Sequence, residues 1–351
     1  MLLPMKMRDR LEYALAWGLI AAAVAAGLLA LRMATSDALP GPEPAAVTST
    51  ALQAHPAEDV RQIGELAFLG AVRLQAPQAA FGGLSGLAAG PEGLFLAVTD
   101  AGNWLVFRTV ETAERLNGVA EARMAPILGV DGRAAASKAD GDAESLACNA
   151  LLIACQVGFE QQHRVVHFRG VPLDARAVRD ERLTAMIGWP QNGGVESLAL
   201  LPGGGRVIIS EDALRKDGSL QALLTTGGAT RGFGIPRVAG FRPTDAAALD
   251  ATRLIVLHRR FTPADRGSAI TLVDLAPVLA GGDAATARLL ARWQPPLVHD
   301  NFEGLALVQR AGRRFLYLVS DDNFSAAQAT ILMKLELPPL NPVVPASSPP
   351  A

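Results

Sequence analysis

The sequence predicts an all-β fold, a β-propeller of four-stranded blades with an N-terminal hydrophobic helix ahead of it, and three observations predict it. First, one short phrase recurs: Ser85-Gly86-Leu87-Ala88, Glu144-Ser145-Leu146-Ala147, Glu196-Ser197-Leu198-Ala199, Asp245-Ala246-Ala247-Ala248 and Glu303-Gly304-Leu305-Ala306, at intervals of 59, 52, 49 and 58 residues. A near-constant period of this size is the mark of a repeat architecture. Second, a turn, an apolar run and an acid follow several of the copies. Leu94 to Val98 ends at Asp100, Val207 to Ile209 at Glu211-Asp212, and Phe315 to Val319 at Asp321-Asp322. Third, further runs such as Trp104 to Val110, Val165 to Phe168, Ala269 to Leu275 and Thr330 to Leu337 bring each repeat to about four strands. The runs lack the 3.6-residue period that a helical solenoid requires. Five blades is the direct count, and six is the count if one long interval holds two merged hairpins.

The elements follow in chain order. Residues 1–34 read as a signal anchor or signal peptide: Lys6, Arg8 and Arg10 precede an apolar stretch from Tyr13 to Leu31. Its 19 residues approach the ~20 that span a bilayer, which favours an anchor in the inner membrane with the rest of the chain on the periplasmic side. A cleaved signal would instead release the chain there. No Cys follows the run, which excludes lipoprotein processing. Residues 35–60, rich in Ala, Pro, Ser and Thr, read as a linker. Residues 61–337 hold the propeller, and 338–351 form a Pro-rich tail expected to be disordered. The last repeat is one strand short, and Glu65 to Leu74 is the stretch that could complete it and close the ring.

Composition narrows the function. The 351 residues carry a net charge of −2, and only 5% are aromatic. Nucleic acid is therefore not expected as a partner, since neither a basic stripe nor a stacking platform is present. Cys148 and Cys155 flank a hairpin turn and read equally as a disulfide or as two buried small side chains. Nucleophile and nucleotide motifs are missing. Gly83-Leu84-Ser85-Gly86-Leu87 has Leu where a nucleophile elbow needs Gly.

The chemistry suggested by the pattern lies at one rim. A hairpin brings the start of its first strand beside the end of its second, so Glu144, Glu196, Asp245 and Glu303 should meet Asp100, Glu211, Asp212, His258, Asp321 and Asp322 around one channel mouth. So many carboxylates repel unless a cation intervenes, and oxygen-only ligands suit Ca²⁺, or Mg²⁺, better than zinc. The candidate metal ligands are Glu144, Glu196, Asp245, Glu303, Asp321 and Asp322, of which Glu196, Glu303 and Asp321 are also the catalytic candidates. Arg215, Lys216, His258 and Arg259 are the candidate phosphate-binding residues. Any one of these acids, taken alone, would serve as well by accepting backbone N–H bonds from the next blade.

Three stretches resemble a known family. Phe81-Gly82-Gly83-Leu84-Ser85-Gly86-Leu87, Ala97-Val98-Thr99-Asp100 with Trp104, and Asn192-Gly193-Gly194-Val195-Glu196-Ser197-Leu198 are similar to bacterial phytase-like proteins, described as having esterase-like activity of phytase. Asn301-Phe302-Glu303-Gly304-Leu305-Ala306 through Val319 to Ser325 carries the strongest likeness. The resemblance covers roughly 65 to 337 and implies a secreted or periplasmic propeller with phosphoester hydrolysis. Two functions are expected from these features: a metal-dependent phosphoesterase acting on a small-molecule phosphoester, or a membrane-tethered binding or assembly propeller whose rim acids are structural.

Overall fold

The computed structural model describes residues 41–190, 192–262 and 265–340. The N-terminal apolar run and nearly all of the C-terminal tail lie outside these residues. Among the described residues no helix is long and apolar enough to cross a membrane.

Four strands precede the first innermost strand: β1 (Glu43–Pro44), β2 (Thr48–Leu52), β3 (Gln62–Ile63) and β4 (Leu66–Gln75). Blade one is β5 (Leu84–Ala89), β6 (Leu94–Thr99), β7 (Asn103–Thr112) and β8 (Arg115–Pro126). Blade two is β9 (Ala143–Cys148), β10 (Ala154–Phe159), β11 (Arg164–Arg169) and β12 (Arg176–Arg182). Blade three is β13 (Val195–Leu201), β14 (Gly205–Leu214), β15 (Leu220–Thr226) and β16 (Ala229–Ile235). Blade four is β17 (Arg242–Ala248), β18 (Arg253–Phe261), β19 (Arg266–Asp274) and β20 (Thr286–Trp293). Blade five takes β21 (Asn301–Arg310), β22 (Arg313–Asp321) and β23 (Thr330–Leu337) from the C-terminus and β4 from the N-terminus.

There are thus five blades, and the ring closes through the strand that the last repeat lacks. Leu74 pairs with Thr330 and Ala67 with Glu336 in an antiparallel ladder. The ordered chain reaches further upstream than the repeats. β2 adds to the outer side of β4 and β1 to the outer side of β8, so part of the stretch read as linker is held in sheets.

The core is divided among the blade interfaces. Five apolar clusters occur, one between each pair of neighbouring blades, including the last and the first. The pleat explains how one strand serves two of them, because successive side chains point to opposite faces. On β14, Val207 and Ile209 face blade four while Ile208 faces blade two. On β6, Phe95 and Ala97 face blade five while Leu96 and Val98 face blade two. Strands covered on both faces read as continuous apolar runs rather than as an alternation, which is the pattern of this sequence.

The innermost strands β5, β9, β13, β17 and β21 stand side by side around the axis. At one end of the channel they line a cavity of about 140 Å³ with equivalent triplets, from Leu87-Ala88-Ala89 round to Leu305-Ala306-Leu307. Cys148 borders that end, and it is joined to Cys155 as a disulfide between directly opposed positions of β9 and β10. The polar residues gather at the other end.

Candidate metal and anion site

Every innermost strand begins with a β-bulge. One residue is skipped in each inner pairing: Ser85, Glu144, Glu196, Thr244 and Glu303. A bulge turns the extra residue out of the ladder and re-aims its side chain, here at the channel mouth. Three of the five bulged residues are glutamates. The register revises the sequence alignment in blade four, where Thr244 and not Asp245 holds the bulge position.

Hydroxyl groups fix these bulges from the preceding blade. Ser85 Oγ donates to the carbonyl of Ala143, the residue before Glu144. Ser145 Oγ donates to the carbonyl of Val195, before Glu196, at 2.7 Å. Thr244 Oγ1 donates to the carbonyl of Phe302, before Glu303, at 3.3 Å. Each glutamate is therefore positioned by a neighbouring blade as well as by its own.

A second ring comes from the ends of the second strands. The register makes Asp100, Glu160, Glu211, Arg259 and Asp321 equivalent, four acids and one arginine. Glu160 is absent from the sequence-derived set, although it follows Glu144 at almost the spacing by which Glu211 follows Glu196 and Asp100 follows Ser85. Asp142, just before β9, adds a further buried carboxylate.

Cations are distributed unevenly over this mouth. Arg259 bonds Glu303, Glu211 Oε1 at 3.1 Å and Asn301 Oδ1 at 3.1 Å. Asn301 Nδ2 donates to Glu303 Oε1 at 2.7 Å. Arg242 pairs with Glu211 at 3.7 Å and with Asp212 at 3.0 Å. Lys138, from a single helical turn at Lys138–Gly141, bonds Asp100 and lies 3.6 Å from Asp142 Oδ1. Among the described residues, no cationic side chain bonds Glu144, Glu160 or Glu196.

The ionisation of the mouth follows this distribution. Burial pushes Glu144 and Glu196 well above the ordinary carboxylate value, and the charges of neighbouring acids push in the same direction. Burial also raises Glu160, against a hydrogen bond from Glu196. It raises Glu303 despite Arg259, Asp100 despite Lys138, and Asp321 beside the charges of Glu303 and Asp100. These acids are crowded and incompletely neutralised, which is the condition a bound cation relieves. Asp142, Glu144 and Glu160 offer carboxylate oxygens within 4.8 Å of one another, and so do Glu160, Glu196 and Glu211. Asp100 Oδ1 and Asp142 Oδ1 are buried without a hydrogen-bond partner. An all-carboxylate donor set with spare buried oxygens fits a hard divalent cation.

Other expected site residues lie elsewhere. Asp245, fully buried, points between blades: its carboxylate accepts from the N–H of Ala246 at 2.8 Å and of Leu305 at 2.7 Å. Asp322 holds a loop, accepting from the N–H of Gly83 and of Phe324 and from Thr330 Oγ1. His258 is 1% exposed, its Nε2 shares a hydrogen bond with Thr271 Oγ1, and burial lowers it to about 3, so a neutral ring sits behind the mouth wall. Arg215 pairs with Asp217 and Asp283, and among the described residues no bond links it or Lys216 to a mouth carboxylate. Of the four expected phosphate-binding residues, only Arg259 reaches the acids.

A family model described as "esterase-like activity of phytase" matches residues 79–324. The chain belongs to the phytase-like family. The match begins and ends with segments that this phytase-like fold brings together. Gly82 and Gly83 have φ of +139° and +60°, and a Cβ at Gly82 would lie 2.6 Å from Asp322 Oδ1. A Cβ at Gly83 would overlap Asp100 Oδ1 and come within 2.8 Å of the Phe324 ring. The two glycines thus form the seat on which the Asp322-Asn323-Phe324 loop docks beside the mouth. No curated protein matches the chain. Among solved structures it is similar to the major Malassezia sympodialis allergen Mala s 1, at 13% identity and a TM-score of 0.42 over 85% of this chain and 96% of that one. It is also similar to the N-terminal domain of Nup159, at 12% identity and a TM-score of 0.34 over 82% of this chain and 99% of that one.

Proposed function

We propose that this phytase-like propeller is a divalent-cation-dependent phosphoesterase on the periplasmic side of the membrane, working at the acidic mouth of its channel. The observation that carries the reading is the lack of any bonded cationic side chain at Glu144, Glu160 and Glu196, beside acids that Arg259, Arg242 and Lys138 already compensate. Calcium is the cation favoured by the carboxylate donors, with magnesium as the alternative, and Asp142 and Glu211 complete its two candidate triads. When bound, such an ion supplies positive charge to phosphoryl oxygens and acidifies water. The chain's own residues do the rest. Arg259 contributes a fixed positive charge at the rim, and its bonds to Glu303, Glu211 and Asn301 hold it in place. Glu160 and Glu196 bring carboxylate oxygens within 4.8 Å of one another, and the charge of Glu160 adds to burial in raising Glu196. The Cys148–Cys155 disulfide supports an oxidising compartment, and the Tyr13 to Leu31 run supports delivery to it or anchorage beside it.

The test joins binding to turnover. Calorimetry on chelator-treated full-length chain should give calcium binding that Glu160→Gln removes, because that residue belongs to both triads, while the melting transition is retained. Hydrolysis of p-nitrophenyl phosphate should depend on calcium and fall about a hundredfold in the same variant. Calcium binding without turnover of any phosphomonoester would leave the binding propeller as the correct reading. Absence of both calcium and magnesium binding would refute the site.

A further inference from the structure

A second cavity lies between blades one and two, apart from the channel. It encloses about 320 Å³ and is floored by Ile127, Phe159, Val166 and Phe168. Residues 128–141 roof it. This strap folds as a small hairpin, with Leu128 bridged to Ala134 and a turn closed by the Gly132 N–H on the Gly129 carbonyl. Its far end is pinned to blade two by Gln162, which donates to Asp140 Oδ1 at 2.6 Å, and by Arg164, which donates to the Asp140 carbonyl at 2.5 Å.

The polar groups on the rim differ in one respect. Asp140 spends its carboxylate on Gln162 and Ser137. Asp131 turns back to accept the N–H of Arg133 at 3.0 Å. Arg164 is committed to Asp180 and the Asp140 carbonyl, and it stacks over the Phe159 ring at 4.2 Å. Arg133 alone among these charged groups brings a side chain with no ion pair or side-chain hydrogen bond. An apolar floor with one uncommitted arginine among the lining residues has the composition of a small-ligand site.

We propose that this cavity binds a small amphipathic carboxylate, with an aromatic or branched apolar body on the floor and its charge on Arg133. The volume holds a body of one or two six-membered rings, since a cavity of ~150 Å³ already takes benzene. Arg forms paired hydrogen bonds with a carboxylate that a neutral polar group does not match. The inference stands on residues separate from the acidic mouth and does not depend on the phosphoesterase reading.

Benzoate is the probe, titrated by calorimetry into full-length chain with chelator present so that cation sites stay empty. Benzyl alcohol supplies the ring without the charge, and acetate the charge without the ring. Saturable benzoate binding at one site is expected, at least tenfold weaker in Arg133→Gln, with acetate and benzyl alcohol both weaker than benzoate in the unaltered chain. Arg133 is exposed, so its replacement leaves the fold intact. Val166→Phe should fill the cavity, abolish binding and melt no lower than the unaltered chain. No saturable binding, or binding that Arg133→Gln leaves unchanged, overturns the proposal.

Discussion

Glu181 shows how this protein treats a carboxylate that has its partners. Burial works against its ionisation, but bonds from Arg206 at 2.9 Å and His167 at 2.8 Å, with the charge of Arg179 nearby, bring it down from 4.5 to about 2. Glu144 and Glu196 have no such partners, and burial sends them the other way. The contrast predicts a pH dependence with a definite sign. A carboxyl depressed by folding contributes stability that is present above its unfolded value near 4.5 and is lost as the pH falls through about 2. Glu181→Gln should therefore lower stability by about 2 kcal/mol at neutral pH, and the difference from the unaltered chain should vanish near pH 2. Urea midpoints of the two proteins at both ends of that window measure it.

At the scale of the strand, the bulges matter more than the individual acids. Each glutamate-bearing bulge hangs on a hydroxyl from the blade before it, so the mouth is built by contacts between blades. Ser145→Ala removes the bond to the Val195 carbonyl inside a fully buried junction. It should cost about 1 kcal/mol of stability and weaken calcium binding several-fold, read by thermal melts and calorimetry on the same sample. Unchanged calcium affinity would show that Glu196 is held by its own strand alone. The recurring phrase was legible in the sequence because Gly or Ser before Leu-Ala marks the bulged entry in four blades. In blade four Ala246-Ala247-Ala248 offers no size contrast, so the phrase slides by one residue and aligns Asp245 with the glutamates. Glu160 carries a weaker signal because repeat two has Asn149 to Ile153 at its turn rather than a Gly-rich stretch. Lys138 and Asp142 sit in a connection outside the repeat, and no periodic reading reaches them.

Across the whole molecule, the mouth gathers charge from every blade, and its repulsion is carried by the closed ring. The raised carboxyls bind protons more readily in the folded state, so they stabilise it where they are protonated and cease to do so as the pH rises through their folded values. Without calcium, the full-length chain should melt at a higher temperature near pH 5 than near pH 8. Calcium should raise the pH 8 transition more than the pH 5 one, since an ion bound only by the folded state stabilises by mass action and competes with those protons. Scanning calorimetry at both pH values, with chelator or calcium, decides it. A melting temperature indifferent to calcium at both would contradict the proposed cation site.

The strand that closes the ring has a consequence for how the chain is made. β4 is among the first structured segments to emerge during synthesis, yet its partner β23 is nearly the last. Through most of translation, Leu66–Gln75 remains an open edge with unpaired N–H and C=O groups along its β23 side. Its neighbours β2 and β3 pair along its opposite edge, so they cannot substitute for that partner. The interval before Thr330 arrives is then the time in which this protein is most exposed to aggregation and to proteases. A stop codon in the last repeat would prolong that interval indefinitely.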